Sequence, residues 1–191
     1  MAMRLQREFY ARDPRRVAPE LLNKVLVAGT CRGRIVEVEA YAGADDPGSH
    51  GYRGMTPRTE VMFGPPGRLY VYFTYGMHWC ANVVCGPDGE CAAVLLRALT
   101  PLAGLEEMRK QRPAARQDRD LCRGPAKLAA ALGIDGAANG ADLVAADAGI
   151  ELLDDKTAPP AKPGRSVRIG LSAGDDLPWR WYVPGCVDLS R

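Results

Sequence analysis

Across residues 34–41 apolar and polar side chains alternate, with Val36, Val38 and Ala40 on one face of an extended chain and Ile35, Glu37, Glu39 and Tyr41 on the other. This period of two predicts a strand, one face of which carries two carboxylates beside a tyrosine. Upstream, Val17, Leu21, Leu22 and Val25 have helical spacing, with Pro19 and Glu20 suited to a first turn. Residues 69–73 read as a strand ending at Tyr75-Gly76, a bend that can present a side chain outward. Residues 78–85 and 91–99 are β-rich runs separated by Gly86-Pro87-Asp88-Gly89-Glu90, which predicts an antiparallel hairpin. Pro101 at a helix start, followed by Leu105 and Met108, predicts an amphipathic helix to about Arg112. A second helix over 126–132 opens at Gly124-Pro125 and closes at Gly133. Strands are expected at 150–153, near 167–171 and near 181–183, and no internal repeat is present. Residues 42–60 lack periodicity; a loop of that length in a compact domain is usually functional, and this one contains His50.

Composition narrows the class. A chain of 191 residues with 47% hydrophobic and 25% charged side chains can bury its own core as one domain, spanning 1–191, without disulfides or metals. No stretch reaches the roughly 20 apolar residues of a membrane span, and the charged first 16 residues lack a signal peptide's apolar run, so a cytoplasmic location is expected. Six cysteines form no CxxC pair and several fall in apolar runs, which favours buried free thiols over a metal site. The net charge is only +2, but it is segregated: residues 1–34 hold eight Lys/Arg against three acids, 101–127 seven against four, and 135–156 six acids against one Lys. Basic segments so placed fit phosphate contact, or equally a solvated mixed surface.

Three groups of residues could carry chemistry. Glu37 and Glu39 lie about 7 Å apart along one strand face, a spacing that permits glycosidic acid/base work, although outward strand carboxylates are more often solvent-facing. Tyr70, Tyr72, Phe73, Tyr75 and Trp79 fall within ten positions. With Arg58 and Arg68 nearby they suit base stacking, while core packing explains the same residues at least as readily. Arg123 and Lys127 flank the Gly124-Pro125 helix start, which offers backbone N–H groups to a phosphate or is simply a cap. No nucleophilic triad is present, and no feature requires a nucleophilic lysine.

Taken together, the strings Val17-Ala18-Pro19-Glu20-Leu21-Leu22, Arg34-Ile35-Val36-Glu37-Val38-Glu39-Ala40-Tyr41, Thr56-Pro57-Arg58, Leu69-Tyr70-Val71-Tyr72-Phe73-Thr74-Tyr75-Gly76-Met77, Val94-Leu95-Leu96-Arg97-Ala98, Leu121-Cys122-Arg123-Gly124-Pro125-Ala126-Lys127-Leu128 and Arg168-Ile169-Gly170 resemble the alkyladenine (3-methyladenine) DNA glycosylase family in its bacterial form. The resemblance implies a single compact α+β domain, with a curved, largely antiparallel sheet flanked by helices, like the C-terminal domain of a formyltransferase. It implies Glu39 as general base, with Arg97 and the backbone carbonyl of Ile169 holding the attacking water. Tyr41, His50, Tyr72, Asn82 and Leu95 correspond to the base pocket. Tyr75 corresponds to the wedge that fills the vacated stack and Met77 lies beside it, with Thr56, Arg58, Arg123 and Lys127 on the DNA side. Two departures stand out: a short loop at Gly51-Tyr52-Arg53-Gly54-Met55, and His78-Trp79 in place of a more usual aromatic pair.

The function so implied is monofunctional excision of alkylated purines from double-stranded DNA, by a monomer without cofactor or metal, at the bacterial nucleoid. A non-catalytic nucleic-acid-binding module and an RNA-binding domain are the rival readings; the carboxylate of Glu39 separates a hydrolase from the first, and a comparison of duplex DNA with tRNA binding separates the second.

Overall fold

A computed structural model describes residues 2–190. Asp13 accepts a hydrogen bond from the N–H of Arg15 at 2.8 Å and Pro14 occupies the first helical turn, so helix α2 (Pro14–Leu21), which follows the short α1 (Arg7–Tyr10), starts well before Pro19. The expected first-turn place of Pro19 and Glu20 is thus corrected: the Asp13-Pro14 cap sets the start. Val17, Ala18 and Leu21 are buried from α2, each large apolar side chain contributing about 1.5–3 kcal/mol. Val25 belongs instead to strand β2 (Val25–Ala28), an all-buried run with no alternation to reveal it.

Nine strands among the described residues form a curled antiparallel sheet. Its path runs from β1 (Met3–Arg4) through β7 (Ile150–Asp154), β2, β3 (Cys31–Tyr41), β6 (Ala93–Ala103) and β5 (His78–Val84) to β4 (Leu69–Thr74). The short β8 (Gly164–Ser166) and β9 (Arg180–Tyr182) pair with one another, and β9 closes on the second half of β3. β6 extends through Pro101, which corrects the expected helix start there. β5 pairs β6 only at residues 93–95, so Pro101 lies where that edge of β6 has no strand partner and the missing N–H costs little. Helix α3 (Leu105–Gln111) begins after Gly104, and α4 (Pro125–Ala131) follows. Residues 167–171 form no strand, contrary to expectation.

One sheet face supports the main core, including Ile35, Val38, Ala40, Val71, Ala81, Val83, Val94 and Leu96. Ile35 shares that core with Val38 and Ala40 rather than facing with Glu37, because the strand changes parity. Ile35 pairs Leu99 and Glu37 pairs Ala98, leaving Val36 unopposed; Val38 then pairs Leu96, leaving Arg97 unopposed. These two offset bulges re-aim the side chains beside them, as bulges near functional sites commonly do. The opposite face holds a smaller cluster of Met62, Tyr70, Val84, Cys91 and Ala93.

The charge segregation is resolved largely inside the molecule. Arg4 pairs with Glu151, Arg7 with Asp142, Lys24 with Asp154 and Arg34 with Asp155, so four of the eight basic groups of residues 1–34 face the acidic segment instead of phosphate. Each cation lies early in the chain and meets an acid on β7 or in the loops on either side of it. All six cysteines are free thiols, five of them buried.

Candidate active site

A single cross-strand row organises the site. Tyr70 on β4 pairs Asn82 on β5, Asn82 pairs Leu95 on β6, Leu95 pairs Glu39 on β3, and Glu39 pairs Arg180 on β9. Residues directly opposite in a ladder project to the same face, and positions two apart share it, so Tyr72 and Tyr41 join the row. The aromatic run 70–79 is therefore split by parity. Tyr70 and Tyr72 stack with ring centroids 5.5 Å apart on this face, while Phe73 and Trp79 pack together at 4.7 Å. A partly enclosed cavity opens here, lined by Tyr41, Gly48, His50, Met62, Tyr70, Tyr72, Asn82 and Leu171.

Glu37 and Glu39 are both fully buried, so the solvent-facing reading of the pair is excluded. Their surroundings assign them different work. Glu37 accepts from Arg97 Nε at 2.8 Å, Arg180 Nε at 2.7 Å, and the main-chain N–H and hydroxyl of Ser190 at 2.6 Å each. Burial pushes its pKa up, but the hydrogen bonds from Arg180 and Ser190 and the charge of Arg97 outweigh that and hold it below the ordinary carboxylate range. With its lone pairs committed, Glu37 is an anchor. Glu39 accepts from the Tyr41 hydroxyl at 2.9 Å and from the Ile169 N–H at 2.8 Å, and Arg97 Nη1 approaches it at 3.2 Å. Arg97 thus bridges both carboxylates. Desolvation lowers its pKa, and the charges of Glu39 and Glu37 more than reverse the effect.

The cavity walls are ordered by polar contacts. His50 Nδ1 lies 3.1 Å from the Tyr70 hydroxyl and its ring meets Tyr72 edge-on at 4.5 Å. Burial, followed by the nearby charge of Arg58, lowers the His50 pKa and favours the neutral ring near neutral pH. Burial raises the Tyr41 and Tyr72 phenols, which stay protonated. Asn82 donates from Nδ2 to the Tyr70 carbonyl at 3.1 Å, fixing its amide against the cavity. Leu95 lies between Asn82 and Glu39 in the row and is outside the lining. The loop from Tyr41 to His50 is held from within: Asp46 accepts from the N–H groups of Ala42 and Gly48.

At the rim, Arg58 lies over the Tyr72 ring at 5.5 Å, and Thr56 exchanges hydrogen bonds with Thr59. Tyr75 is 80% exposed at the tip of the β4–β5 hairpin, and Met77 beside it is 67% exposed. Tyr75 and Gly76 have φ of 52° and 67°, and the Met77 N–H returns to the Thr74 carbonyl at 3.2 Å. A bulky residue in the left-handed region is strained, and such strain concentrates at functional sites. Arg123 is not gathered into this rim: Ala98 bridges to it, and its guanidinium donates to the Leu189 carbonyl beside Ser190 and pairs with Asp120. Lys127 is exposed on α4. Gly48, Met62, Leu171 and the buried pair Asp46–Arg168 were not singled out from sequence. Tyr70 was marked there only as one of the clustered aromatics, and the structure places it in the cavity wall.

A buried carboxylate held by an arginine, a tyrosine hydroxyl and a backbone N–H beside an aromatic cavity describes a hydrolytic site for a flat ring system. The sequence pattern of the family described as methylpurine-DNA glycosylase matches residues 8–187. A protein of Burkholderia lata named "Putative 3-methyladenine DNA glycosylase" is 62% identical over 182 residues, covering 95% of this chain and 88% of its own. Proteins of the same name from Streptomyces avermitilis and Rhodopseudomonas palustris are 50% identical over 185 residues and 51% over 187, covering 94% and 98% of this chain and 87% and 88% of their own. The chain belongs to the methylpurine-DNA glycosylase family, whose members are hydrolases of N-glycosyl bonds.

Proposed function

We propose that the protein removes alkylated purines, of the 3-methyladenine type, from double-stranded DNA by everting the nucleotide and hydrolysing its glycosidic bond with water activated by Glu39. A stacked purine hides its anomeric carbon from any side chain, so extrusion comes first and costs a few kcal/mol. Tyr75, exposed at a hairpin tip, offsets part of that cost by filling the gap, with Met77 beside it. The everted base enters between Tyr41, Tyr72 and His50, and Asn82 meets its edge. Alkylation at N3 or N7 makes the base a cation, which weakens the glycosidic bond and favours the faces of aromatic rings.

As the bond breaks the sugar becomes oxocarbenium-like. The Glu39 carboxylate stabilises that charge and takes a proton from water, while Arg97 and the backbone at Ile169 hold the carboxylate and the water in register. The products are free base and an abasic site. Thr56 and Arg58 at the rim, with Arg123 and Lys127 farther off, complete the duplex contacts of a monomer working at the nucleoid.

The observation that carries this reading is the burial of Glu39 among three donors beside the aromatic cavity. A pure binding module gains nothing from such a carboxylate. The test is incubation with duplexes containing 7-methylguanine, 3-methyladenine, hypoxanthine or ethenoadenine, with alkali cleavage reporting abasic sites and EDTA present in parallel. Lesion-dependent, EDTA-resistant cleavage is expected; binding to every duplex with no base released would refute the reading.

A further inference from the structure

One buried ion pair lies outside the steps above. Arg168 Nη1 and Nη2 each meet a different oxygen of Asp46 at 2.6 Å, and neither side chain has any solvent exposure. The guanidinium also donates to the carbonyls of Ala40 at 3.0 Å and Gly174 at 2.9 Å. Its carbon lies 4.6 Å from the centre of the Tyr41 ring and 5.2 Å from that of Trp179. Tyr41 lines the cavity and Arg168 does not, so the cation stands behind the wall on which a base stacks.

Buried ion pairs are often no more stabilising than apolar residues of similar volume, so burial of this pair calls for a reason other than stability. Its position supplies one. A purine stacked on the cavity side of Tyr41 would lie roughly 8 Å from the guanidinium, and at an effective dielectric of about 20 an uncompensated charge there would weaken a cationic base by about tenfold or more. Arg58 over Tyr72 is exposed, so solvent screens its charge more than that of the buried Arg168.

We propose that Asp46 and Arg168 determine lesion specificity: the carboxylate cancels the arginine's charge behind Tyr41, so that the cavity accepts a positively charged alkylated base as readily as its aromatic walls allow. The proposal rests on the glycosylase reading above. Arg168 and Asp46 are positioning and charge-balancing groups and touch no substrate.

The experiment measures single-turnover release of 7-methylguanine, a cation, and hypoxanthine, a neutral base, by the wild-type protein, Asp46→Asn, Arg168→Gln and the Asp46→Asn/Arg168→Gln double variant. Asp46→Asn is expected to lower the 7-methylguanine rate relative to hypoxanthine by about tenfold, and Arg168→Gln to shift that ratio the opposite way. The double variant, again neutral, is expected to restore the 7-methylguanine-to-hypoxanthine ratio to within a few-fold of wild type. A merely structural pair would slow both bases alike in Asp46→Asn and recover both alike in the double variant, leaving the ratio constant within twofold throughout, and that result overturns the proposal. Should Asp46→Asn fail to fold, Arg168→Lys, which keeps the charge, is compared with Arg168→Gln, and equal ratios overturn it. Wild-type protein that released neither base would instead sink the glycosylase reading itself.

Discussion

The main-chain N–H of Ile169 donates to Oε1 of Glu39 at 2.8 Å, across 130 positions of sequence. That bond uses the N–H rather than the carbonyl of Ile169, and it exists because residues 167–171 are irregular: in a ladder strand the same N–H would be committed to a neighbour. The carboxylate is thereby held from one side by backbone and from the other by Arg97 and Tyr41, so its orientation is fixed before any substrate arrives.

Glu39→Gln keeps the size of the side chain and an oxygen for the Ile169 N–H, but removes the base. Single-turnover excision from a 7-methylguanine duplex is expected to fall by about 10²–10⁴, with duplex affinity unchanged within a few-fold. Rates within tenfold of wild type would remove Glu39 from the reaction.

Tyr75 combines a φ of 52° with 80% exposure, so it pays backbone strain without packing in return. Tyr75→Gly relieves the strain and is expected to raise stability by about 0.5–1 kcal/mol in urea unfolding, after allowance for glycine's greater unfolded-state entropy. The same variant is expected to lose most of the 2-aminopurine fluorescence rise on binding a lesion duplex. A variant that is less stable, or that flips as well as wild type, contradicts the wedge assignment.

Much of this arrangement was legible because it is local. The alternation around Glu39 and Tyr41, the strand at 69–74, the hairpin turn at 86–90 and the helix opening at Gly124-Pro125 each follow from neighbours in sequence. What escaped depends on partners far away. The offset bulges at Val36 and Arg97 arise only when β3 and β6 pair, so period two alone put Ile35 on the wrong face. Arg168 and Asp46 are 122 positions apart and look like ordinary surface charges until the loops meet. Burial of Glu37 is equally invisible, since Arg180 and Ser190 come from the far end of the chain.

Because the Glu37 pKa is depressed in the folded protein below its ordinary 4.5, its contribution is present above that value and is lost as pH falls through the folded pKa. Glu37→Gln leaves Arg97 and Arg180 with too little negative charge and is expected to cost about 3–5 kcal/mol at pH 7. The deficit against wild type is expected to shrink as pH falls below 4.5 and on through the depressed folded pKa, where the wild-type carboxyl protonates. Urea midpoints measured across that range check the sign; a deficit that stays constant or grows toward acid contradicts the assignment of Glu37 as an ionised anchor.

Trp79 lies on β5, one arm of the hairpin that carries Tyr75, packed on Phe73 with ring centroids 4.7 Å apart. Its far side rests on Gly136, where an added Cβ would stand 2.7 Å from the indole Cη2 atom. Gly136→Ala therefore has to push the indole toward Phe73 and tilt the hairpin that carries Tyr75. A loss of about 1–3 kcal/mol is expected from the overpacking, with weaker flipping at temperatures where the variant is fully folded. Trp79→Phe in the Gly136→Ala background removes the clashing ring edge and is expected to recover part of the flipping signal, measured by 2-aminopurine fluorescence. If Gly136→Ala loses stability but flips normally, Trp79 supports the core alone and the hairpin is held by its own turn.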